Sequence, residues 1–126
     1  MANLSIRVDL SPTSAIGPGK IRLLELIDAT GSISAAGRAM EMSYRRAWLL
    51  VDELNQLFRE PVAVTAHGGR SGGGASLTPF GKRLIEGYRR MESDAEDAVA
   101  DFLSMIDVAA TPARRSRTPS ARKAAR

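Results

Sequence analysis

Residues 32–58, SISAAGRAMEMSYRRAWLLVDELNQLF, contain two helical patterns of apolar residues separated by a short break. Ser32 precedes the first pattern and Ser43 the second, and a serine hydroxyl at such a position accepts a hydrogen bond from a free amide of the first turn. The second pattern runs to a stop near Pro61. Because two helices joined by a turn of three or four residues form a helix-turn-helix, the stretch predicts that motif.

The first of these helices has an interior of unusually small side chains. Gly37 lies in its middle, where glycine costs about 1 kcal/mol relative to alanine. Close approach of a second helix is the most natural reason to keep a glycine there. We therefore predict that the two helices cross at the small residues, which are Ser34, Ala35, Ala36, Gly37 and Ala39.

A glycine-rich loop at residues 67–74 separates two short apolar stretches, 62–65 and 75–77, that have the composition of strands. A strand, a loop and a returning strand after a helix-turn-helix outline a wing. The loop lacks the Gly-Lys-Ser/Thr ending and the GxGxxG spacing of nucleotide-binding loops, so we exclude that function. Thr78 then caps a last helix, with Pro79 at its first position.

The segment before the motif predicts one strand and one helix. Apolar and polar residues alternate over residues 4–10, as in a half-buried strand. A helix is expected from Lys20 to about Ala29, and Gly31 follows it as a C-terminal glycine would.

The last helix carries a long apolar stripe that continues to about residue 107. A helix of roughly 28 residues is about 40 Å long, which is more than a domain of this size can cover. We predict that the stripe forms a homodimer interface, with packing on its own domain as the alternative. Its residues after Phe80 are Leu84, Tyr88, Met91, Ala95, Val99, Phe102 and Ile106.

Length and charge divide the 126-residue chain into a domain and a tail. Residues 1–107 are expected to form a winged helix-turn-helix whose dimerisation helix spans about 79–107. Residues 92–107 carry six acids and no base, whereas residues 108–126 carry six bases and no acid. The basic tail has no apolar face to bury, so we expect disorder there. Contact with a polyanion and a solvated end without a partner remain equal alternatives.

Composition excludes several classes of protein. The chain has no cysteine and one histidine, His67, and its acidic residues have no metal-ligand spacing, so we expect neither an enzyme nor a cofactor. Its apolar runs are too short to span a membrane, and its first residues do not form a signal peptide. We expect a cytoplasmic protein without a small-molecule substrate.

Several stretches of the sequence resemble the N-terminal domain of the ModE family of molybdate-responsive bacterial transcription regulators. They are residues 31–36 (GSISAA), 43–48 (SYRRAW) and 55–57 (NQL), the glycines of 68–74, and Leu77, Thr78 and Gly81. The resemblance covers about residues 15–100 and implies a mainly α fold with a small β component, similar to the winged helix-turn-helix of LysR-type regulators.

The resemblance also has implications for assembly and ligands. In the family, the domain dimerises through its first and last helices, and the helix that begins here at Ser43 enters the major groove. Full-length members carry two molybdate-binding modules after this domain, where this sequence has a basic tail of 19 residues. We therefore expect no molybdate binding by this chain.

The candidate DNA contacts lie at the start of the second helix and on the wing. A recognition helix presents its N-terminal turns to the major groove, where an arginine pairs with guanine O6 and N7. Basic side chains at a helix N-terminus are repelled by the positive end of the helix dipole, and a bound phosphate would compensate this repulsion. The alternative is that Arg45 and Arg46 form a solvated helix start without a partner. Which arginine reads a base stays open. The full set is Ser34, Ser43, Tyr44, Arg45, Arg46, Arg70 and Lys82.

These patterns favour a homodimeric regulator that binds a palindromic operator on double-stranded DNA and acts as a repressor. Trp48 is expected in the core beside Val51. One alternative is a non-specific architectural DNA-binding protein whose tail supplies most of the binding. Another is a dimeric protein-interaction adaptor, for which the acidic stretch 92–107 gives some support.

Overall fold

The computed structural model describes residues 1–66 and 74–111, which contain five helices and four short strands. The elements are β1 (Val8–Ser11), β2 (Ser14–Ile16), α1 (Pro18–Thr30), α2 (Ile33–Ala39), α3 (Tyr44–Leu57), β3 (Ala63–Thr65), β4 (Ala75–Leu77), α4 (Pro79–Ala98) and α5 (Ala100–Ala109). The strands form two antiparallel pairs. This mainly helical architecture with a small wing confirms the predicted fold class.

The chain divides into two compact units, residues 5–93 and residues 1–4 with the segment from Asp94 onward. The larger unit contains the helix-turn-helix and the wing. In the smaller unit, the backbone N–H of Ala2 donates to a carboxylate oxygen of Asp107 over 3.1 Å, which ties the amino terminus to α5.

The helix α1 ends where the sequence predicts, at a glycine in a left-handed conformation. Gly31 has φ 73°, and its N–H donates to the carbonyl of Ile27 over 2.8 Å. A side chain is strained at such a φ, which explains the glycine. The carbonyl of Gly31 also accepts from the N–H of Ala75 over 2.9 Å, so the end of α1 is joined to the wing strand β4.

Both predicted serine caps of the helix-turn-helix are confirmed. The Ser32 hydroxyl accepts from the N–H of Ala35 over 3.0 Å, and the Ser43 hydroxyl accepts from the N–H of Arg46 over 3.1 Å. The turn between α2 and α3 passes through Glu41, which has φ 61° although it is not glycine. The two caps and this turn set where α3 begins.

Gly37 lies at the crossing of α2 and α3, as predicted. A Cβ atom built on Gly37 would be 2.9 Å from the Cβ of Ala47 and 3.5 Å from the carbonyl oxygen of Met42. Because real Cβ atoms do not approach so closely, only glycine allows this helix spacing.

The core of residues 5–93 is aliphatic except for one tyrosine. Among the described residues its buried members are Ile16, Ile21, Leu23, Leu24, Ile27, Ile33, Ala36, Ala47, Val51, Leu54, Val62, Ala63, Ala75, Leu77 and Tyr88. Trp48 is absent from this set, with 42% of its surface exposed. The prediction that Trp48 belongs to the core is therefore wrong. The buried positions of α3 are occupied by smaller side chains instead, namely Ala47, Val51 and Leu54.

The wing is built from β3 and β4, paired from Ala63 opposite Leu77 to Thr65 opposite Ala75. The start of α4 packs tightly behind it. The Thr78 hydroxyl donates to the carbonyl of Pro61 over 2.7 Å and accepts from the N–H of Gly81 over 2.9 Å, which confirms its capping role. The loop tip at residues 67–73, with His67 and Arg70, lies outside the described residues.

The amino-terminal segment differs from its prediction. Only Val8–Ser11 is a strand, and it forms a hairpin with Ser14–Ile16, which the sequence did not indicate. Residues 4–7 alternate in burial without being a strand. The carbonyl of Ile6 accepts a hydrogen bond from the Tyr88 hydroxyl over 2.6 Å, so this segment is held against α4 by a side chain.

An ion-pair network joins α1 to α4 within the larger unit. The Arg89 guanidinium donates to both carboxylate oxygens of Glu25, each over 2.9 Å, and to Glu92 over 2.8 Å. The hydrogen bonds from Arg89 hold the pKa of Glu25 below its ordinary value, against the opposing effect of burial. Glu25 and Glu92 together raise the pKa of Arg89.

The predicted continuous helix over about 79–107 is divided at Val99, whose φ of −111° and ψ of 16° leave the helical region. The N–H of Val99 still donates to Ala95, and its carbonyl still accepts from Leu103. The apolar period therefore continues across the break, and for that reason the pattern did not reveal it. The helix α5 ends at Ala109, so the prediction of disorder from residue 108 is wrong for residues 108 and 109. Residues 112–126 of the predicted tail lie outside the described residues.

No helix among residues 1–66 and 74–111 is both long and apolar enough to cross a membrane.

Candidate nucleic-acid interface

The first turn of α3 presents two unpaired arginines to solvent. Ser43, Tyr44, Arg45 and Arg46 are all exposed, Tyr44 by 58% of its surface. Neither arginine forms an ion pair with another residue of the described ranges. Since no acidic residue occupies this first turn, nothing in it neutralises the arginines.

The packing of α3 explains why this turn points away from the core. The helix buries Ala47, Val51 and Leu54, which follow a helical spacing of four and three. The arginines lie on other faces of the helix and remain in water. The free amides of a helix start attract anions, and the two guanidinium groups add to that attraction. This turn is therefore suited to phosphate or to the acceptor atoms of bases.

Ser34 and Arg38 form a second polar pair, on α2. A guanidinium nitrogen of Arg38 donates to the Ser34 hydroxyl over 3.0 Å, and Arg38 is exposed. A guanidinium has five N–H donors, so several remain available to an anion. Ser34 is predicted from the sequence as a DNA contact, whereas Arg38 is not, although a basic residue in the last turn of α2, just before the connection to α3, could have indicated it.

Lys82 lies exposed in the first turn of α4. No hydrogen bond or ion pair of the described residues connects it with α3. Its neighbour Arg83 lies over the ring of Phe80, 5.7 Å from the ring centre. The described contacts thus do not bring Lys82 together with the arginines of α3.

Asn55 joins the wing strand β3 to α3. Its carbonyl oxygen accepts from the N–H groups of Val62 over 2.7 Å and Ala63 over 3.2 Å, and its amide nitrogen donates to the carbonyl of Ala63 over 3.1 Å. One side chain therefore sets the position of β3 against α3. In the sequence, Asn55 belongs to a stretch that resembles the family, but its pattern predicts no role for this side chain.

A groove of about 390 Å³ separates α3 from β3. Trp48 lines it from the helix, and Val64, with 47% of its surface exposed, lines it from the strand. Asp52 adds a carboxylate, which accepts a hydrogen bond from Gln56 over 3.0 Å. The helix α3 and the strand β3 therefore present one recessed surface that is partly apolar.

The seven predicted dimer residues do not form one exposed stripe. Tyr88 is buried, which raises the pKa of its phenol, and Leu84 and Met91 pack against the core of their own chain. Phe102 and Ile106 of α5 are exposed by 56% and 37%. Ala95 and Val99 are half-buried. Two further exposed apolar residues of α5, which the stripe did not include, are Met105 and Val108.

Within the described ranges, no group of three or more histidine, cysteine or acidic side chains is arranged to hold a metal ion.

No family model matches the chain. Individual proteins do. The molybdenum transport protein ModE of Azotobacter vinelandii is 38% identical over 99 residues, which is 79% of this chain and 36% of that protein. The molybdenum-pterin-binding protein MopB of Rhodobacter capsulatus is 40% identical over 111 residues, 88% of this chain and 40% of that protein.

The DNA-binding transcriptional dual regulator ModE of Escherichia coli K12 is 35% identical over 103 residues, 79% of this chain and 39% of that protein. The chain thus spans well under half the length of these relatives, whose names describe regulators, transport and binding proteins and no enzyme. Identity at this level over most of the chain, together with the winged helix-turn-helix described above, shows that the chain belongs to the ModE family.

Proposed function

We propose that this chain is a transcriptional regulator that binds double-stranded DNA through the first turn of α3. The observation that carries the proposal is the pair of exposed arginines, Arg45 and Arg46, on a serine-capped helix start without an acidic partner among the described residues. A relative of similar sequence is named a DNA-binding transcriptional regulator, which supports the same function.

We propose further that two copies act together on a palindromic operator and repress by covering a promoter. Two recognition helices related by a two-fold axis reach half-sites about 34 Å apart, or a multiple of that distance. The exposed apolar residues of α5, Phe102 and Ile106 among them, support association of two copies. In this proposal residues 1–107 act as the DNA-binding and dimerising domain in the bacterial cytoplasm, and the basic residues after 111 add affinity.

Selection of duplexes from a random DNA pool tests specificity, palindromy and half-site spacing together. Binding of a selected duplex is then measured by fluorescence anisotropy over a range of salt concentrations. Each phosphate contact contributes about −0.9 to the slope of log affinity against log salt, so we expect a steep negative slope. Absence of binding at low salt contradicts the proposal and favours a protein-interaction adaptor.

Comparison of the full chain with residues 1–111 separates a specific regulator from a non-specific architectural protein. A specific regulator keeps its preference for the selected duplex at reduced affinity, because α3 reads the bases. An architectural protein loses nearly all binding, because the six basic residues beyond position 111 supply it.

We propose that DNA binding by this chain needs no cofactor. The names of the relatives mention molybdenum, so equilibrium dialysis of the chain against molybdate is the direct test. We expect equal molybdate concentrations in both compartments, and DNA affinity that is unchanged by molybdate.

A further inference from the structure

Trp48 is the only tryptophan of the chain, and 42% of its surface is exposed. A large apolar side chain is ordinarily buried, so an exposed one on a binding element is informative. Its neighbours on α3 are also exposed, Tyr44 by 58% and Leu49 by 47%. These three side chains lie on the helix that carries Arg45 and Arg46, so an apolar surface adjoins the cationic first turn.

The position of Trp48 indicates what this surface contacts. It lines the 390 Å³ groove that faces the exposed Val64 of the wing strand. Asp52 lines the same groove, and a carboxylate there repels a phosphate. An apolar surface beside a carboxylate therefore fits the base edges better than the DNA backbone.

The major groove of DNA offers one prominent apolar group, the C5 methyl of thymine. An indole ring presents a rigid apolar surface to such a methyl, and its N–H can only donate a hydrogen bond. We propose that Trp48 is a specificity-determining residue that contacts thymine methyl groups when α3 enters the major groove. This inference rests on the proposed function and adds the base that the helix prefers.

The arginines and the indole of α3 are expected to contribute to DNA affinity in different ways, because their side chains differ in charge. Arginines bind phosphates and guanines and supply most of the salt-dependent affinity. An indole in contact with a methyl contributes affinity that does not depend on salt. Removal of the methyl should therefore change affinity without changing the salt slope.

The first test replaces single thymines of the selected duplex with deoxyuridine, which removes only the C5 methyl. For the unmodified protein we expect an affinity loss of about fourfold at one or more positions, as for the loss of one buried methyl. Trp48→Ala should bind the thymine and deoxyuridine duplexes equally. Gln56→Ala, also exposed on α3, is the matched control and should keep the fourfold difference.

The second test uses the fluorescence of the single tryptophan in the unmodified protein, so its result does not depend on whether a variant folds. We expect the selected duplex to protect Trp48 from quenching by acrylamide and to shift its emission. DNA binding without either change overturns the inference while leaving the proposed function intact. Protection of Trp48 together with equal affinity for the thymine and deoxyuridine duplexes also overturns the inference, because Trp48 would then contact DNA without recognising the thymine methyl. A protein that binds no duplex at low salt ends both proposals.

Discussion

The methyl group of Ala47 lies only 2.9 Å from the place that a Cβ on Gly37 would occupy. Gly37 is a buried residue of α2 and Ala47 is a buried residue of α3. Their contact therefore sets the distance between the two helices of the motif. The exposed first turn of α3 directly precedes Ala47, so this contact fixes the position of the turn relative to α2.

Gly37→Ala should lower the free energy of unfolding by about 1–3 kcal/mol, because the added methyl overpacks the helix crossing. This loss is expected although alanine favours a helix by about 1 kcal/mol over glycine. Urea denaturation measures the difference. The matched control is Gly87→Ala in α4, where an added Cβ meets nothing within 4 Å and stability should hold or rise. Equal stability of the two variants contradicts the packing argument.

Asn55→Ala should destabilise the protein by about 1–3 kcal/mol, because it leaves backbone groups of Val62 and Ala63 without their partner. Hydrogen exchange at these two amides should accelerate more than exchange in α1. The control is Gln56→Ala, because the Gln56 amide hydrogen-bonds Asp52 and no backbone group within residues 1–66 and 74–111; its stability should stay within about 0.5 kcal/mol of the unmodified protein. Unchanged exchange at Val62 would show that Asn55 does not hold the wing strand.

Arg45→Ala and Arg46→Ala should each weaken DNA binding, and the salt dependence identifies the contact that was lost. Loss of a phosphate contact reduces the slope of log affinity against log salt by about 0.9, whereas loss of a base contact relaxes sequence preference by about 1–3 kcal/mol. Anisotropy titrations provide both quantities. Arg7→Ala is the control, because Arg7 pairs with Asp9 over 2.9 Å. Two arginine variants that bind as the control does would contradict the assignment.

Glu25 should make stability depend on pH in the acidic range. Its pKa is lowered from 4.5 in the folded state by hydrogen bonds from Arg89, so its contribution is present above pH 4.5 and is lost as the pH falls through the lowered pKa. Glu25→Gln should be less stable at neutral pH, by less than about 1 kcal/mol for this partly exposed pair. Urea denaturation should show this difference in the free energy of unfolding at neutral pH, and the difference should disappear once the pH is below the lowered pKa of Glu25. Glu86→Gln, at an exposed position of α4, is the control, and its stability relative to the unmodified protein should not change over the same pH range.

Substitution of both Phe102 and Ile106 by serine should shift the protein from dimer towards monomer, because it removes exposed apolar surface from α5. Analytical ultracentrifugation measures the change. Leu10→Ser is the control, since Leu10 is exposed by 44% but lies in the hairpin strand β1. A monomeric unmodified protein at high concentration would contradict the proposed assembly.

Local chemistry accounts for the features that were predicted from sequence. Caps at Ser32 and Ser43 and the terminating glycine at Gly31 depend on hydrogen bonds within a few residues of the chain. The wing strands could be recognised because a glycine-rich loop separates two short apolar runs. Each of these signals is contained in a short window, so no tertiary contact was needed to read it.

Features that depend on distant residues were missed or misread. Trp48 was expected in the core because its neighbours are apolar, yet the crossing of α2 and α3 admits Ala47 and leaves the indole at the surface. Tyr88 was expected in a dimer interface, but its hydroxyl bonds to Ile6, 82 residues earlier in the chain. Periodicity identifies which positions of a helix are apolar, but not which partner covers them.

The sequence by itself determined the helix-turn-helix followed by the wing, the glycine that ends α1, the serine caps of α2 and α3, and the basic first turn of α3, because capping and periodicity act within one or two helical turns. Only the tertiary structure decided which face of α3 is buried, how Asn55 joins the wing to that helix, and that Trp48 borders a groove. These features depend on contacts between residues that are far apart in the sequence, such as Gly37 with Ala47 and Asn55 with Val62 and Ala63, and a local pattern does not encode such contacts.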